Sequence, residues 1–275
     1  MPIQNNDNDS APLISVIMGI YNCADTLKSA LDCIVNQTYK HWNVIMCDDC
    51  SKDNTVEIAN KYVTRYPERF KLLINDKNQG LNYSLNRCLK EASGQYIARM
   101  DGDDLCDLLR FEHEMEMMIS HPEFAIVSCD MAFFDSNGIW GRTHHKEKPE
   151  PKDFIYCSQF CHAASIVSVD ALRAVGGYSI DKKLLRVEDY HLWIKMYAAG
   201  YRGVNIPDVL YQMRDDRNAQ RRRTLQNRLN ECYVRHLAIK LLKLPLYNYI
   251  FCLRPLILAL MPSCLYAFLH KRKNS

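Results

Sequence analysis

The chain reads as an α/β protein with a mostly parallel sheet covered by helices, and two patterns predict it. Short apolar runs alternate with helical stretches as far as about residue 130, and a polar cluster closes each of the first four runs. Strand–helix alternation of this kind implies right-handed crossovers and a sheet buried on both faces. Ligands of such sheets bind beyond the carboxyl ends of the strands, which is where the polar clusters stand.

"ISVIMGI" (Ile14–Ile20) is the first strand, closed by Tyr21 and Asn22. "ADTLKSALDCIVNQ" follows, with Leu27, Ala30, Leu31, Ile34 and Val35 on one helical face and Asp25 placed to cap it. Trp42–Asp49 is a second buried strand, ending in Asp48–Asp49–Cys50–Ser51, and a helix is expected from Asp53. Phe70–Asn75 is a third strand, leading through Asn78 and Gly80 into a helix that runs to Glu91. "GQYIARM" is the fourth, "RFEHEMEMMISH" a further helix and Phe124–Asp130 a fifth strand. Beyond it, "FFDSNGIWG" predicts a hairpin about its Asn-Gly. "VDALRAVGGY" predicts a short helix with Gly176 and Gly177 at its C-cap, and "EDYHLWIKMYAAGY" an amphipathic helix that opens on Glu188 and Asp189.

Composition is that of a globular protein: 48% of the 275 residues are hydrophobic and 24% charged. The net charge of +3 conceals an asymmetry. From Arg214 to Ser275 there are 13 Lys/Arg against 3 Asp/Glu, a charge of +10, which leaves −7 for the first 213 residues. A basic end on an acidic body points to an anionic partner for that end. The first dozen residues are polar and read as flexible, with no apolar stretch of the secretory kind. A cytoplasmic location is expected, and with it reduced thiols for the 12 cysteines. Cys47 and Cys50 form a C-x-x-C, but no second pair stands at zinc-finger spacing, so most cysteines are read as small buried hydrophobes.

The chemistry concentrates in "YIARMDGDDL" (Tyr96–Leu105), where a buried strand opens onto Asp101, Asp103 and Asp104. Unpaired buried carboxylates cost several kcal/mol. A hard divalent cation, Mn²⁺ or Mg²⁺, removes that penalty by taking carboxylate oxygens while bridging phosphates. Gly102 would let the backbone approach a ligand, and Arg99 offers a bidentate donor to a diphosphate or to one of the acids. The bland alternative is an N-cap cluster for a helix starting near Leu105, but a cap needs one acid and three are present.

"SVIMGIYN", "QTYKHWNVIMCDDCSKDNT", "NQGLNYSLN", "GQYIARMDGDD" and "VGGYSIDKKLLRVEDYHLW", in this order, resemble family 2 glycosyltransferases of the GT-A fold, from about Ile14 to Tyr211. The resemblance implies a Rossmann-like GT-A catalytic domain over 13–213, with a nucleotide-sugar half (13–130) and an acceptor half (131–213), between a flexible 1–12 and a basic, apolar helical tail (214–275). It implies that Gly19, Tyr21, Asn22 and Asp49 hold the base and ribose, with Asp48 in support and Asn78 and Gly80 lining the donor site. Asp101-x-Asp103 becomes the DxD motif, with Asp103 ahead of Asp101 as the direct metal ligand and the metal on the donor diphosphate. Glu188–Asp189 matches the family's acid pair, with Asp189 as general base and Glu188 orienting it or the acceptor. His162 falls where relatives carry a histidine bordering the acceptor. The expected reaction is inverting transfer of a single sugar from a nucleoside-diphosphate sugar, UDP-linked by family frequency, to a saccharide or lipid-linked saccharide.

Two departures stand out. "YQMRDDRNAQRRR" has Arg214 where relatives place a metal-binding histidine, followed by Arg217 and Arg221–Arg223, a cationic loop suited to a diphosphate. Leu85 precedes Asn86 where relatives carry arginine, a charge Arg99 can supply. The Gln-x-x-Arg-Trp motif and membrane spans of processive synthases are both missing from the pattern.

From Leu244 the sequence is apolar and aromatic but broken by Arg254, Pro255 and Pro262. It reads as short helices lying on an anionic membrane surface, through 244–275, at the inner face of the cytoplasmic membrane. Packing on the catalytic domain, or a contact between copies, is the alternative. Two rival functions were weighed. A nucleotidyltransferase would open with a Gly-rich basic loop, which "GIYNCADT" lacks. A non-catalytic basic membrane-surface or nucleic-acid binder would need aromatics interleaved with its cations, and no nucleic acid partner is expected.

Overall fold

The computed structural model describes residues 11–215 and 224–259. Arg217, Arg221–Arg223, the N-terminal 1–10 and the tail from 260 onward lie outside the described residues.

The first half alternates as expected: β1 (Ile14–Ile20), α1 (Ala24–Val35), β2 (Trp42–Asp48), α2 (Thr55–Arg65), β3 (Phe70–Ile74), α3 (Leu81–Glu91) and β4 (Tyr96–Arg99). β1 lies between β2 and β4, and β3 flanks β2, all in parallel. Val16, Met18 and Ile20 enter the core on one side of the sheet and Ile17 the core on the other, so β1 is covered on both faces. The register sets Ile20 beside Asp48 and Asp48 beside Ile74. The loops that follow these three strands therefore leave the sheet at one level.

The second half comprises β5 (Leu105–Cys106), α4 (Arg110–Ser120), β6 (Ile126–Asp135), β7 (Gly138–Arg142), β8 (Ser165–Ser168), α5 (Val169–Ala174), α6 (Glu188–Ala198), β9 (Gly203–Arg214), α7 (Leu225–Leu241) and α8 (Arg254–Ala259). The sheet runs β3-β2-β1-β4-β8-β6-β9-β5, with β7 paired to β6. Here the parallel register gives way to a mixed one. β8 is antiparallel to both β4 and β6, while β6 and β9 are parallel. The hairpin expected at Asn-Gly is β6–β7, where Phe133 and Trp140 stack with centroids 5.1 Å apart and Trp140 Nε1 donates to Asp215 O at 3.3 Å.

Three local expectations are corrected. Asp25 lies inside the first turn of α1 rather than capping it. The cap comes from the next loop, where Asp53 Oδ2 accepts from Ala24 N–H at 3.0 Å. No helix starts near Leu105: Leu105 and Cys106 pair with Gln212 and Tyr211, and α4 begins at Arg110. The three acids are therefore not a helix cap. Arg214, taken as the first residue of the tail, is the last residue of β9.

α7 buries Val234, Ala238 and Ile239 against the body, and its Asn230 Nδ2 donates to Leu185 O at 2.9 Å. A 3₁₀ segment, Leu246–Leu253, follows, and α8 then starts with Pro255 as its second residue, where a missing N–H costs nothing. Among the described residues no helix is long and apolar enough to cross a membrane, and no cysteine is paired in a disulfide.

Gly203, where β9 meets β6, has no room for a side chain: a Cβ there would lie 2.6 Å from Phe160 Cζ and 2.9 Å from Ile126 O. Gly203→Ala is expected to destabilise the fold by about 1–3 kcal/mol, as overpacking does. A urea midpoint equal to that of the wild type would refute this.

Candidate active site

Of the four strand ends expected to converge, those of β1 and β4 do so, with the end of β9, around a cavity of about 350 Å³ lined by Gly19, Tyr21, Asn22, Asp101, Asp103 and Arg214, among others. Gly19 makes room for α3, since a Cβ there would lie 2.7 Å from Leu81 Cδ1. Tyr21 is half exposed at the rim. Asn22 takes a positive φ of 47° and uses Oδ1 to accept from Lys52 N–H at 2.8 Å, which ties the β1 loop to the β2 loop.

The three acids differ in their partners. Arg99 is buried and forms a two-pronged pair with Asp101, at 2.8 Å (Nη1–Oδ2) and 2.5 Å (Nη2–Oδ1). Asp104 is buried and satisfied on both oxygens, by Tyr211 O–H at 2.9 Å and Arg214 N–H at 2.8 Å. Asp103 is exposed and has no side-chain donor among the described residues. Oxygens of all three lie within 4.8 Å of one another, and this is the one group of that kind among the described residues. The set fits a hard divalent cation: oxygen donors, close spacing and one acid free to bind directly. Asp103, with Asp101 beside it, is the residue that would hold the ion.

Gly102 lines the cavity and also serves packing. It is buried, and a Cβ there would lie 2.8 Å from Cys23 Sγ, so glycine lets the acidic loop rest on the β1–α1 turn. Thr26 Oγ1 donates to Gly102 O at 2.9 Å across the same contact.

Asp48 and Asp49 do not line this cavity. Asp48 accepts from Ser51 N–H at 2.9 Å and Ser51 O–H at 2.5 Å. Asp49 accepts from Asn75 Nδ2 at 2.7 Å and from the main-chain N–H groups of Gln79 and Gly80, both at 2.8 Å. Its carboxylate, expected on the base or ribose, is here spent on clamping the β3–α3 loop. Gly80 holds φ at 89° before α3, a conformation that favours glycine, and Asn78 is exposed on the clamped loop.

Glu188 and Asp189 begin α6. Asp189 Oδ2 accepts from Ser158 O–H at 3.4 Å, and Glu188 Oε2 is buried without a partner among the described residues. His162 Nε2 and Tyr178 Oη share a hydrogen bond of 3.0 Å. Burial and the charge of Arg99 hold the His162 pKa well below the usual histidine range, so the ring is neutral. Arg99 thus acts on both acidic groups: it pairs with Asp101 and its charge reaches Glu188 and Asp189. Tyr211, Ser158 and Tyr178 were missed by sequence reading. Tyr211 lies 107 residues from the acid it serves, and nothing local marks it.

Comparison with known proteins identifies the family and the fold. Residues 15–175 match the family model described as Glycosyl transferase family 2. The chain is 38% identical over 265 residues, 96% of its length and 95% of the other's, to EpsE of Bacillus subtilis (strain 168), a protein assigned as a glycosyltransferase. It is 28% identical over 203 residues, 73% of its length and 77% of the other's, to the Escherichia coli UDP-Glc:alpha-D-GlcNAc-diphosphoundecaprenol beta-1,3-glucosyltransferase WfaP. The structure of mannosyltransferase PcManGT from Pyrobaculum calidifontis, in complex with GDP-Man and Mn²⁺, matches with a TM-score of 0.66 at 20% identity, covering 95% of this chain and 79% of that one. The fold is GT-A.

The electrostatics of the acids set a pH dependence. Loss of solvent around the acidic loop, then repulsion by Asp101, raises the pKa of Asp104 and, at the open mouth of the cavity, that of Asp103. Burial does the same at Asp189, and burial plus Asp189 at Glu188. A carboxyl group with a raised folded-state pKa keeps its proton after the unfolded chain has lost it. Its contribution to stability therefore falls as pH rises from the ordinary carboxyl range, about 4, toward neutrality. Asp104→Asn removes one such group. Between about pH 5 and pH 7 its melting temperature is expected to fall less than that of the wild type, by thermal denaturation without divalent ions. Equal falls would refute the assignment.

Proposed function

The chain belongs to glycosyl transferase family 2, and on that premise we propose that it transfers one sugar per encounter, with inversion, from a nucleoside-diphosphate sugar to a saccharide or lipid-linked saccharide. The observation that carries the proposal is the acidic loop after β4: one acid is paired with Arg99, a second is hydrogen-bonded on both oxygens, and the third is open to the cavity. The donor is a UDP-sugar and the group moved a hexosyl or N-acetylhexosaminyl unit. WfaP, named for a UDP-Glc donor and a diphosphoundecaprenol-linked acceptor, supports this choice. By the same analogy the product is a bacterial cell-surface polysaccharide.

Tyr21 and Asn22 border the nucleoside, and Arg214, whose Nε donates to Asp103 O at 3.1 Å, brings a cation to the diphosphate side. Asp103 and Asp101 would hold Mn²⁺ or Mg²⁺, which would supply positive charge against the departing nucleoside diphosphate. Asp189 receives the proton of the acceptor hydroxyl as that oxygen bonds to the anomeric carbon, while the bond from carbon to the diphosphate oxygen breaks and its electron pair leaves with the diphosphate. Burial makes Asp189 a stronger base than an exposed aspartate, which suits this step. Glu188 orients the acceptor, and neutral His162, held by Tyr178, borders it.

The protein works on the cytoplasmic face of the membrane as a peripheral enzyme. Leu246, Tyr247, Ile250, Leu253 and Ile257 are all more than half exposed, on a segment that continues into the apolar and basic 260–275.

Asp103→Ala is expected to lose metal-dependent UDP binding in calorimetry. Asp189→Asn is expected to keep it and lose transfer by about 10²–10⁴-fold. Normal binding and turnover in both variants would refute the site. For the membrane, Leu246→Ser combined with Tyr247→Ser and Ile250→Ser is expected to move the protein off anionic vesicles in a flotation assay. Unchanged flotation would refute the interfacial role.

A further inference from the structure

A second cavity, of about 390 Å³, opens between α3 and the turn after α5. Tyr83, Arg87, Lys90, Arg173 and Ile180 line it, and no acid does. It shares no lining residue with the cavity of Asp103. Elsewhere on the described surface many cations have carboxylate partners, as with Lys28–Asp32, Lys61–Glu57, Lys71–Glu91 and Lys146–Asp153. Arg87, Lys90 and Arg173 have none within ion-pair distance among the described residues.

The two arginines are nevertheless held in place. Arg87 Nη1 donates to Ile74 O at 2.8 Å and Asn75 Oδ1 at 2.6 Å, and Arg173 Nη2 donates to Ala92 O at 2.8 Å and Leu89 O at 3.3 Å. All four acceptors are uncharged. They orient the guanidinium groups without neutralising them, which reduces the ordering cost when an anion binds. Tyr83 and Ile180 are exposed at 38% and 70%, and they give the cavity an aromatic and apolar border of the kind a sugar ring packs against.

The position adds a second argument. Asn86 lines this cavity and holds the main chain of Tyr178, with Nδ2 donating to Tyr178 O at 2.7 Å and Oδ1 accepting from Tyr178 N–H at 2.9 Å. The side chain of Tyr178 turns to His162 on the acceptor side. One turn of chain, residues 176–180, therefore separates the cavity from the proposed acceptor border. We propose that this cavity is a second binding site, for a phosphate or carboxylate group carried on a saccharide chain that extends from the acceptor. The inference rests on the saccharide-transfer reading above.

The test is calorimetry on the full chain with three probes: inorganic phosphate, oligogalacturonate, and a neutral malto-oligosaccharide of equal length. UDP with Mn²⁺ is titrated in parallel. Oligogalacturonate is expected to bind about 10-fold or more tightly than phosphate, the neutral chain not to bind, and Lys90→Glu to weaken the acidic ligand about 10-fold while leaving UDP binding unchanged. Tyr83→Ala is expected to weaken oligogalacturonate and leave phosphate unchanged. Phosphate binding as tightly as oligogalacturonate would overturn the saccharide assignment in favour of a free-anion site. No acidic ligand bound while UDP binds, or equal affinity in Lys90→Glu, would overturn the site itself. Lys90-dependent oligogalacturonate binding without UDP binding would uphold the site and count against the transferase reading instead.

Discussion

A charged guanidinium enclosed by protein is costly unless a carboxylate or several carbonyl oxygens meet it, and the polar face of this sheet is arranged about one carboxylate pair. Arg99 ends β4, is almost fully buried, and grips both oxygens of Asp101. Without that partner, either charge would cost several kcal/mol to bury. Burial works against the Arg99 charge, but Asp101, together with Tyr211 and Tyr178, more than offsets it, and the pKa lies above the ordinary arginine value. The pair is braced from behind. Arg110 Nη1 donates to Arg99 O at 3.1 Å, and Arg110 is paired with Glu114 at 3.1 Å, with both side chains fully enclosed. Two ion pairs thus run from α4 to the cavity, joined through the Arg99 main-chain carbonyl, which lets a parallel-sheet core end in a cluster of acids.

The second constraint joins the halves of the sheet. β4 and β9 are not neighbours, yet the loop after β4 is fastened to β9 at Tyr211 and Arg214. Tyr211 O–H donates to Asp104, and its oxygen also accepts from Asp101 N–H at 3.2 Å. The same residue stacks beneath Arg110, 5.0 Å from its guanidinium. Asp104 thus reads as a structural acid that sets the direction of the loop. The loop can then present Asp103 to the cavity without being covered itself.

The parallel half of the fold was legible because its signal is local. Apolar runs such as Ile14–Ile20 and amphipathic helices such as Ala24–Val35 declare themselves within a dozen residues. The site was legible to the extent that strand ends gather in an α/β sheet, and Gly19, Tyr21, Asn22, Asp101, Asp103 and Arg214 do share one cavity. What stayed hidden depends on distant partners. A carboxylate facing a ligand and one clamping a loop are the same letter, and only the contacts with Gln79 and Gly80 show Asp49 to be the second kind. The packing role of Gly102 stayed hidden because its neighbour Cys23 is remote in sequence. β5, two residues long, carries too little pattern to be told from a helix start.

The hairpin stack has an optical consequence. Of the three tryptophans, Trp42 and Trp193 are buried in the two cores, at 3% and 1% exposure, while Trp140 is only partly covered. Trp140 lies against Phe133 and is tied through its indole N–H to Asp215, the residue after the cavity-lining Arg214. Arg214 in turn lies 4.6 Å from the ring of Phe134, on the same strand. The indole emission of this chain therefore comes from two enclosed rings, of which Trp193 packs against His162, and from Trp140 at the end of β9. The fold carries its own fluorophore at the edge of the site, readable without a label.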